Sequence, residues 1–220
     1  MKKHVYIALV IVAAFAAALG SFLAFRPDDP TRTGAVDARP AAQAQSVRAD
    51  SHRLTRPERS ELTVVEFLDF ECEGCGAAYP VVERLREEYG DRVTFVARYF
   101  PMPGHRNGEL AARTAEAASR QGKFEPMYRK LFATQAAWGE AQDSKKETFR
   151  GYAGELGLDM AEFDAALDSP ETAARVRADQ QDGLGLGVQG TPTFFVGGIK
   201  VATPGSYEAF RELIEARLAG

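Results

Sequence analysis

The pattern of apolar and polar positions divides the chain into three parts. From Val5 to Phe25 it reads VYIALVIVAAFAAALGSFLAF, an apolar run with no charge and long enough to cross a bilayer as a helix. Residues 26–57 are rich in Pro, Ala, Arg, Asp and Gln and poor in large apolar side chains. Such a segment buries too little surface to offset its ordering entropy, and it reads as a flexible linker. A strand or helix over residues 50–58 is the alternative there. Periodic patterning then begins. Leu62 to Phe70, LTVVEFLDF, is rich in β-branched and aromatic residues and predicts a buried strand. From Cys75 the period turns helical, with Ala78, Val81, Val82 and Leu85 on one face and Glu83, Arg84, Arg86 and Glu87 on the other; Gly90 closes this helix. Arg92 to Tyr99 alternates apolar and polar residues and predicts a second strand, so that strand, helix and strand form a parallel crossover.

A helical block follows. Ala111, Ala115 and Ala118 pattern one helix, and Phe124, Met127, Tyr128, Leu131 and Phe132 another. Ser144 with Glu147, and Asp159 with Glu162, have the spacing of capping boxes. Ser169-Pro170 starts a further helix, because proline at the first helical position loses no bond. The chain then returns to strand. Thr193–Val196 and Ile199–Ala202 flank a Gly197-Gly198 hairpin turn, and Ser206 caps a closing helix bearing Tyr207, Phe210, Leu213, Ile214 and Leu218. The domain plan is therefore an N-terminal membrane segment over 1–25, a linker over 26–57, and an α/β domain over 58–220 with a helical insert at about 105–186.

Composition changes this picture little. The 220 residues are 45% hydrophobic and 26% charged, enough for one domain with a core, and the net charge of -4 gives no basic face for nucleic acid. Charge does orient the N-terminal segment. Lys2 and Lys3 precede the apolar run, which keeps the N-terminus in the cytoplasm and the domain outside it. A cleaved signal peptide is the alternative, since Ala17, Ala18, Gly20 and Ser21 supply small residues for cleavage. Both place the domain in a compartment that permits disulfides.

The only two cysteines, Cys72 and Cys75, stand three residues apart in F-E-C-E-G-C, between a predicted strand end and a helix start. Unpaired first-turn amides and the positive end of the helix dipole stabilise a thiolate there, with Cys75 one turn deeper as the resolving sulfur. A structural zinc site needs four ligands, and beyond this pair the chain offers only His4, His52 and His105. No metal or cofactor is expected. An inert local disulfide is the bland alternative.

Two further features bear on the pair. Glu66 interrupts an apolar strand, on the same face as Val64, Leu68 and Phe70. Buried beneath the cysteines, it would have a raised pKa and could exchange a proton with Cys75; a solvent-facing strand edge is the alternative. Gly190-Thr191-Pro192-Thr193 puts a proline at a strand start after a glycine, a candidate cis bond. Thr191 and Pro192 would then lie against the cysteines and offer backbone groups to a substrate strand, an ordinary trans turn being the alternative. His105 is left outside the site as helix-start structure, and Trp138 as core or groove wall.

The element order is that of a thioredoxin fold with an inserted helical domain. The segments TVVEFLDFECEGC, YFPMPGHRNGELAARTAEAASRQGKFEPMYRKLF and GVQGTPTFFVGG resemble the DsbA-like branch of the thioredoxin superfamily, in its membrane-anchored or secreted bacterial form, over about residues 58–218. The resemblance implies a redox-active Cys72–Cys75 disulfide, a cis Thr191–Pro192 bond facing it, Glu66 as the buried acid, and a quinone-linked membrane protein as electron acceptor. One departure is the Glu73-Gly74 dipeptide between the cysteines, where the family commonly has proline after the first cysteine and often histidine or an aromatic residue. An acidic neighbour disfavours the Cys72 thiolate and no imidazolium helps it, so a less oxidising couple is expected. The expected function is oxidation of reduced exported proteins by a monomer. The rivals are a reductase or isomerase on the same fold, and a non-catalytic binding module.

Overall fold

The computed structural model describes residues 45–220. The expected membrane segment, and the linker up to residue 44, lie outside the described residues. Among the described residues, no helix is long and apolar enough to cross a membrane.

Five strands form one mixed sheet in the order β1-β3-β2-β4-β5. Strand β2 (Leu62–Leu68) and β3 (Val93–Tyr99) pair in parallel, joined by helix α1 (Glu73–Tyr89). Strand β4 (Thr193–Val196) runs antiparallel to β2, and β5 (Ile199–Val201) antiparallel to β4. The hairpin turn between them is Gly197-Gly198, with φ of +59° and +79°, a left-handed pair that glycine adopts without strain. Between β3 and β4 come six helices: α2 (Gly108–Ser119), α3 (Phe124–Ala133), α4 (Gln135–Trp138), α5 (Lys146–Glu155), α6 (Met160–Asp168) and α7 (Pro170–Gly185). The chain closes with α8 (Tyr207–Leu218). This is the thioredoxin-like α/β fold with a helical insertion.

Both faces of the sheet are covered, which is why β2 is a nearly continuous apolar run. Val64, Leu68 and Phe70 join the main core with Cys75 and Leu85 of α1, Phe210 and Ile214 of α8, and the aromatic residues of α3. Val65 and Phe67, pointing the other way by the two-residue period, join Val96, Phe100, Val188 and Phe195. Helix α7 lies close over this second face at Gly183, where a Cβ would stand 2.6 Å from the Phe100 ring.

Three expectations need correction. The alternation in β3 suggested a half-exposed strand, yet every residue of β3 is buried, Arg98 completely. The linker was expected to run to residue 57, but the chain from Gln45 onward packs against the domain. Val47 contacts the second-face core, His52–Arg53 form β1 antiparallel to β3, and Leu54 is buried, so the strand alternative holds for residues 50–58. Asp159, Ser169 and Ser206 cap their helices through side-chain oxygens. Ser144 does not: α5 begins after Lys145 without a side-chain cap bond.

Candidate functional site

Cys72 is the N-cap residue of α1, with extended backbone (φ −67°, ψ 120°). Its N–H donates to the Asp69 carbonyl at 3.1 Å, and its carbonyl accepts from Gly76 N–H at 3.0 Å. This places a half-buried sulfur over the unpaired amides of the first helical turn. Cys75, one turn on, is completely buried. Both thiols are free. The Thr191–Pro192 bond is cis, and the Cys72 thiol donates to the Thr191 carbonyl at 3.2 Å. The proline loop and the motif meet at Gly74, where a Cβ would stand 3.2 Å from Pro192 Cδ and 3.5 Å from Cys72 Sγ. Glu66 is buried in β2, opposite Ala97 and Phe194 in the sheet.

The three ionisable groups are tuned apart. A hydrogen bond from the Cys75 thiol, with the Thr191 hydroxyl and the Cys75 and Gly74 amides, outweighs burial and lowers Cys72 to about 5. The Thr191 hydroxyl is buried and has no partner while Cys72 is a thiol, so it remains a free donor for the thiolate. Burial, then the bond to Cys72 and the Glu66 charge, raise Cys75. Burial above all, then the charges of Cys72 and Glu83, raise Glu66 to about 8.

The structure therefore brings Cys72, Cys75, Glu66, Thr191, Pro192 and Gly74 together. Glu73 is exposed, where water screens its charge, and the Cys72 thiolate is stabilised in spite of it.

Sequence reasoning missed the ring of side chains that holds the motif. Asp69, fully buried, accepts from Glu71 N–H at 2.9 Å and Met102 N–H at 2.8 Å, and pairs with His105 Nδ1 at 2.7 Å. The bond and charge of Asp69, with the Cys72 charge, overcome burial and raise the His105 pKa. His105 thus reaches the buried Asp69 from the loop after β3. Glu71 accepts from Asn107 N–H at 2.6 Å, and Asn107 Nδ2 donates to the Ala141 and Asp143 carbonyls. Burial raises the Glu71 pKa against these bonds. The P-x-P-x-H stretch was the one signal of this cluster. Trp138 is buried edge-on to Phe149 and belongs to the core.

A cleft of about 160 Å³ opens beside the motif, lined by Gly74, Ala78, Val81, Phe194, Pro204 and Phe210 among others. It is mainly apolar and suits a side chain of an extended peptide. Among the described residues, no group of three or more His, Cys, Asp or Glu could hold a metal ion.

A family model described as thioredoxin matches residues 57–216. Among curated proteins, a Na(+)/H(+) antiporter NhaA of Herminiimonas arsenicoxydans is 42% identical over 153 residues, 70% of this chain and 23% of that protein. An NhaA 1 of Salinispora arenicola is 36% identical over 176 residues, 79% of this chain and 26% of that one. The chain spans about a quarter of the length of these relatives. Among solved structures, a thioredoxin-like oxidoreductase from Silicibacter pomeroyi is 26% identical with a TM-score of 0.68, covering 81% of this chain and 98% of that one. BdbD from Bacillus subtilis shares the fold at 23% identity and a TM-score of 0.68, over 77% of this chain and 94% of its own. Wolbachia pipientis alpha-DsbA1 does so at 17% and 0.70, over 79% and 93%.

Proposed function

The chain belongs to the thioredoxin family, and from that premise we propose that it is a DsbA-like, extracytoplasmic thiol–disulfide oxidoreductase that introduces disulfides into exported proteins. The observation that carries this reading is the asymmetry of the two sulfurs. Cys72 is half-exposed and lowered to about 5, while Cys75 is buried and raised. A substrate thiolate attacks Cys72 of the Cys72–Cys75 disulfide, and the electron pair leaves on Cys75. Glu66, protonated at neutral pH with a value of about 8, supplies the proton that Cys75 takes up. A second substrate thiolate attacks the substrate sulfur of the mixed disulfide and expels Cys72 as a thiolate. The low Cys72 pKa makes it a good leaving group, and the Thr191 hydroxyl and first-turn amides receive the charge. The extended substrate lies along Thr191 and Pro192 with a side chain in the apolar cleft, so sequence selectivity is broad.

Lys2, Lys3 and the run from Val5 to Phe25 support a single membrane anchor with the domain outside the cytoplasm. A quinone-linked membrane thiol oxidase fits as the reoxidant, and a monomer suffices for the chemistry. Purified protein should oxidise a reduced, unfolded, multi-cysteine protein, and Cys72→Ser should abolish this; equal activity in the variant would sink the assignment. The potential against glutathione fixes the direction, since a value near the cytosolic poise would make it a reductase.

The curated relatives favour a second reading of the substrate, because they carry a matching region within a longer chain named as an antiporter. In that reading the same exchange acts on cysteines of a membrane transport protein. Cys75→Ser removes the thiol that frees Cys72 from a mixed disulfide formed with an oxidised partner, and the identity of the partners trapped in this way separates the two readings.

A further inference from the structure

The helical insert reaches the cysteine motif through one side chain that the exchange chemistry does not use. Gln135, the first residue of α4, donates from Nε2 to the Phe70 carbonyl at 2.7 Å and to the Cys72 carbonyl at 2.9 Å. The two carbonyls bracket Glu71 and Cys72, where the chain turns from β2 into α1. Among the described residues, Gln135 is the only hydrogen-bond donor to the Phe70 carbonyl. The other end of the amide lies against Gly76, where a Cβ would fall 2.0 Å from Gln135 Oε1 and 2.9 Å from its Cδ. Gly76 has a helical neighbourhood and no left-handed φ. Its small size is therefore explained by the amide packed on it rather than by backbone conformation. The donor geometry and the cleared space are independent observations of one contact.

We propose that Gln135 is a positioning residue for the Cys72 sulfur, holding the Cys72 carbonyl so that the sulfur stays over the Gly74 and Cys75 amides. The Cys72 peptide is gripped by Asp69 O on one side and by Gly76 N–H and Gln135 Nε2 on the other. When Gln135 is removed, the Phe70 carbonyl loses its donor and the peptide after Cys72 gains freedom to rotate. Rotation swings the first-turn amides out of line with the sulfur, and hydrogen bonds that favour a charged form weaken when misaligned. The contact also makes the inserted helices part of the redox site. A shift of α4 relative to α1 would change the stability of the Cys72 thiolate with no movement of the proline loop. This inference rests on the proposed redox reading for its biological meaning, though the geometry concerns a physical property of Cys72 alone.

The test uses the full-length protein, with thiolate ultraviolet absorbance followed against pH and the equilibrium of the pair with glutathione. In Gln135→Ala and Gln135→Met the Cys72 midpoint should rise by about half to one pH unit, a three- to tenfold loss of thiolate stability. The equilibrium constant for reduction of the disulfide by glutathione should fall by a matching factor. Gly76→Ala, which drives the amide away, should reproduce the rise, and should add nothing in a Gln135→Ala background. Leu167→Ala is the control: it opens a cavity in α6, whose main contacts are α2, α5 and α7 rather than the helix of the motif, and it lowers global stability but should leave the midpoint in place. An unchanged midpoint in folded Gln135→Ala and Gly76→Ala proteins overturns the proposal, as does an equal rise in Leu167→Ala. Absence of any exchange with thiol substrates in the unsubstituted protein would overturn the redox reading instead, and the titration would still decide the role of Gln135.

Discussion

Cys72 and Cys75 differ in protonation because the Cys75 thiol, the Thr191 hydroxyl and the first-turn amides favour a Cys72 thiolate, while Cys75 lies in apolar core. Cys72 lies below the ordinary thiol value of 9.0 at about 5, so its ionisation stabilises the folded reduced protein. That contribution is absent below pH 5 and grows as the pH rises toward 9. The oxidised protein has no thiol to ionise. The urea midpoint of the reduced form should therefore gain on that of the oxidised form across this window, and a constant gap would contradict the tuned sulfur. Glu66 carries the opposite sign. Its folded value of about 8 exceeds the ordinary 4.5, so stability falls as the pH rises from 4.5, and the loss is complete above 8. Glu66→Leu should relieve it, stabilising the protein at pH 7 by on the order of 3 kcal/mol. Glu66→Gln should slow exchange through Cys75 by roughly tenfold to a hundredfold in stopped-flow measurements. Unchanged rates would leave Glu66 without a part in proton transfer. The cysteine pair, Glu66 and the Thr191–Pro192 step were legible because each breaks a local rule: a charge in an apolar strand, a proline at a strand start, two sulfurs at a helix start. Glu71, His105 and Gln135 break none, and Asp69, a second acid in the predicted strand, carried no sign of its partners. Their partners lie tens of residues away in sequence, and only the folded chain places them around the motif.

Among the elements, β3 shows most clearly how a correct strand can carry a wrong burial. Its Arg98 looked like the polar half of an alternation. Instead Arg98 Nε donates to Asp179 at 2.7 Å and Nη2 to Asp182 at 2.6 Å, both carboxylates on α7. Asp179 also accepts from Tyr99 N–H at 3.0 Å and pairs with Arg175. Alternation predicted β3 and the Ser169-Pro170 start predicted α7, but neither signal showed that they bury complementary charges against each other, because an ion pair leaves no periodic trace. Breaking a buried pair strands the remaining charge. Arg98→Met should accordingly cost about 3–5 kcal/mol in urea unfolding, with reactivity of Cys72 retained in the fraction that folds. A loss below about 1 kcal/mol would mean that the two carboxylates find other partners or protonate freely. Capping shows the same limit. Asp159 caps α6 as its spacing to Glu162 predicted, whereas Ser144, with equal spacing to Glu147, does not cap α5.

At the scale of the whole molecule, the sheet order and the insertion followed from the order of patterns, and the lower edge of the folded domain did not. Composition marked residues 26–57 as linker, with a strand or helix over 50–58 as the alternative. Yet the Gln45 and Ser46 carbonyls accept from Arg98 Nη1 at 3.0 and 2.7 Å, and Arg48 pairs with Asp182. A segment poor in apolar residues is held by charge rather than by burial, which hydropathy does not register. This stem meets the fold on the second face of the sheet, where Arg98 lies over Phe67, rather than on the face that carries Cys75 and Glu66. Its loss should therefore act on stability and spare the chemistry. A chain of residues 50–220 lacks Arg48 and both carbonyl acceptors, and leaves Arg98 Nη1 with no partner. Compared with a chain of residues 45–220, it should lose about 1–3 kcal/mol in urea unfolding, and part of the loss should persist at high salt because Asp182 and Arg98 are buried although Arg48 is partly exposed. Initial rates of oxidation of a reduced multi-cysteine protein by the two chains should agree under conditions where both are folded. A slower 50–220 chain at equal folded fraction would show that the stem also supports the cysteine motif, through β3 and the loop that carries His105.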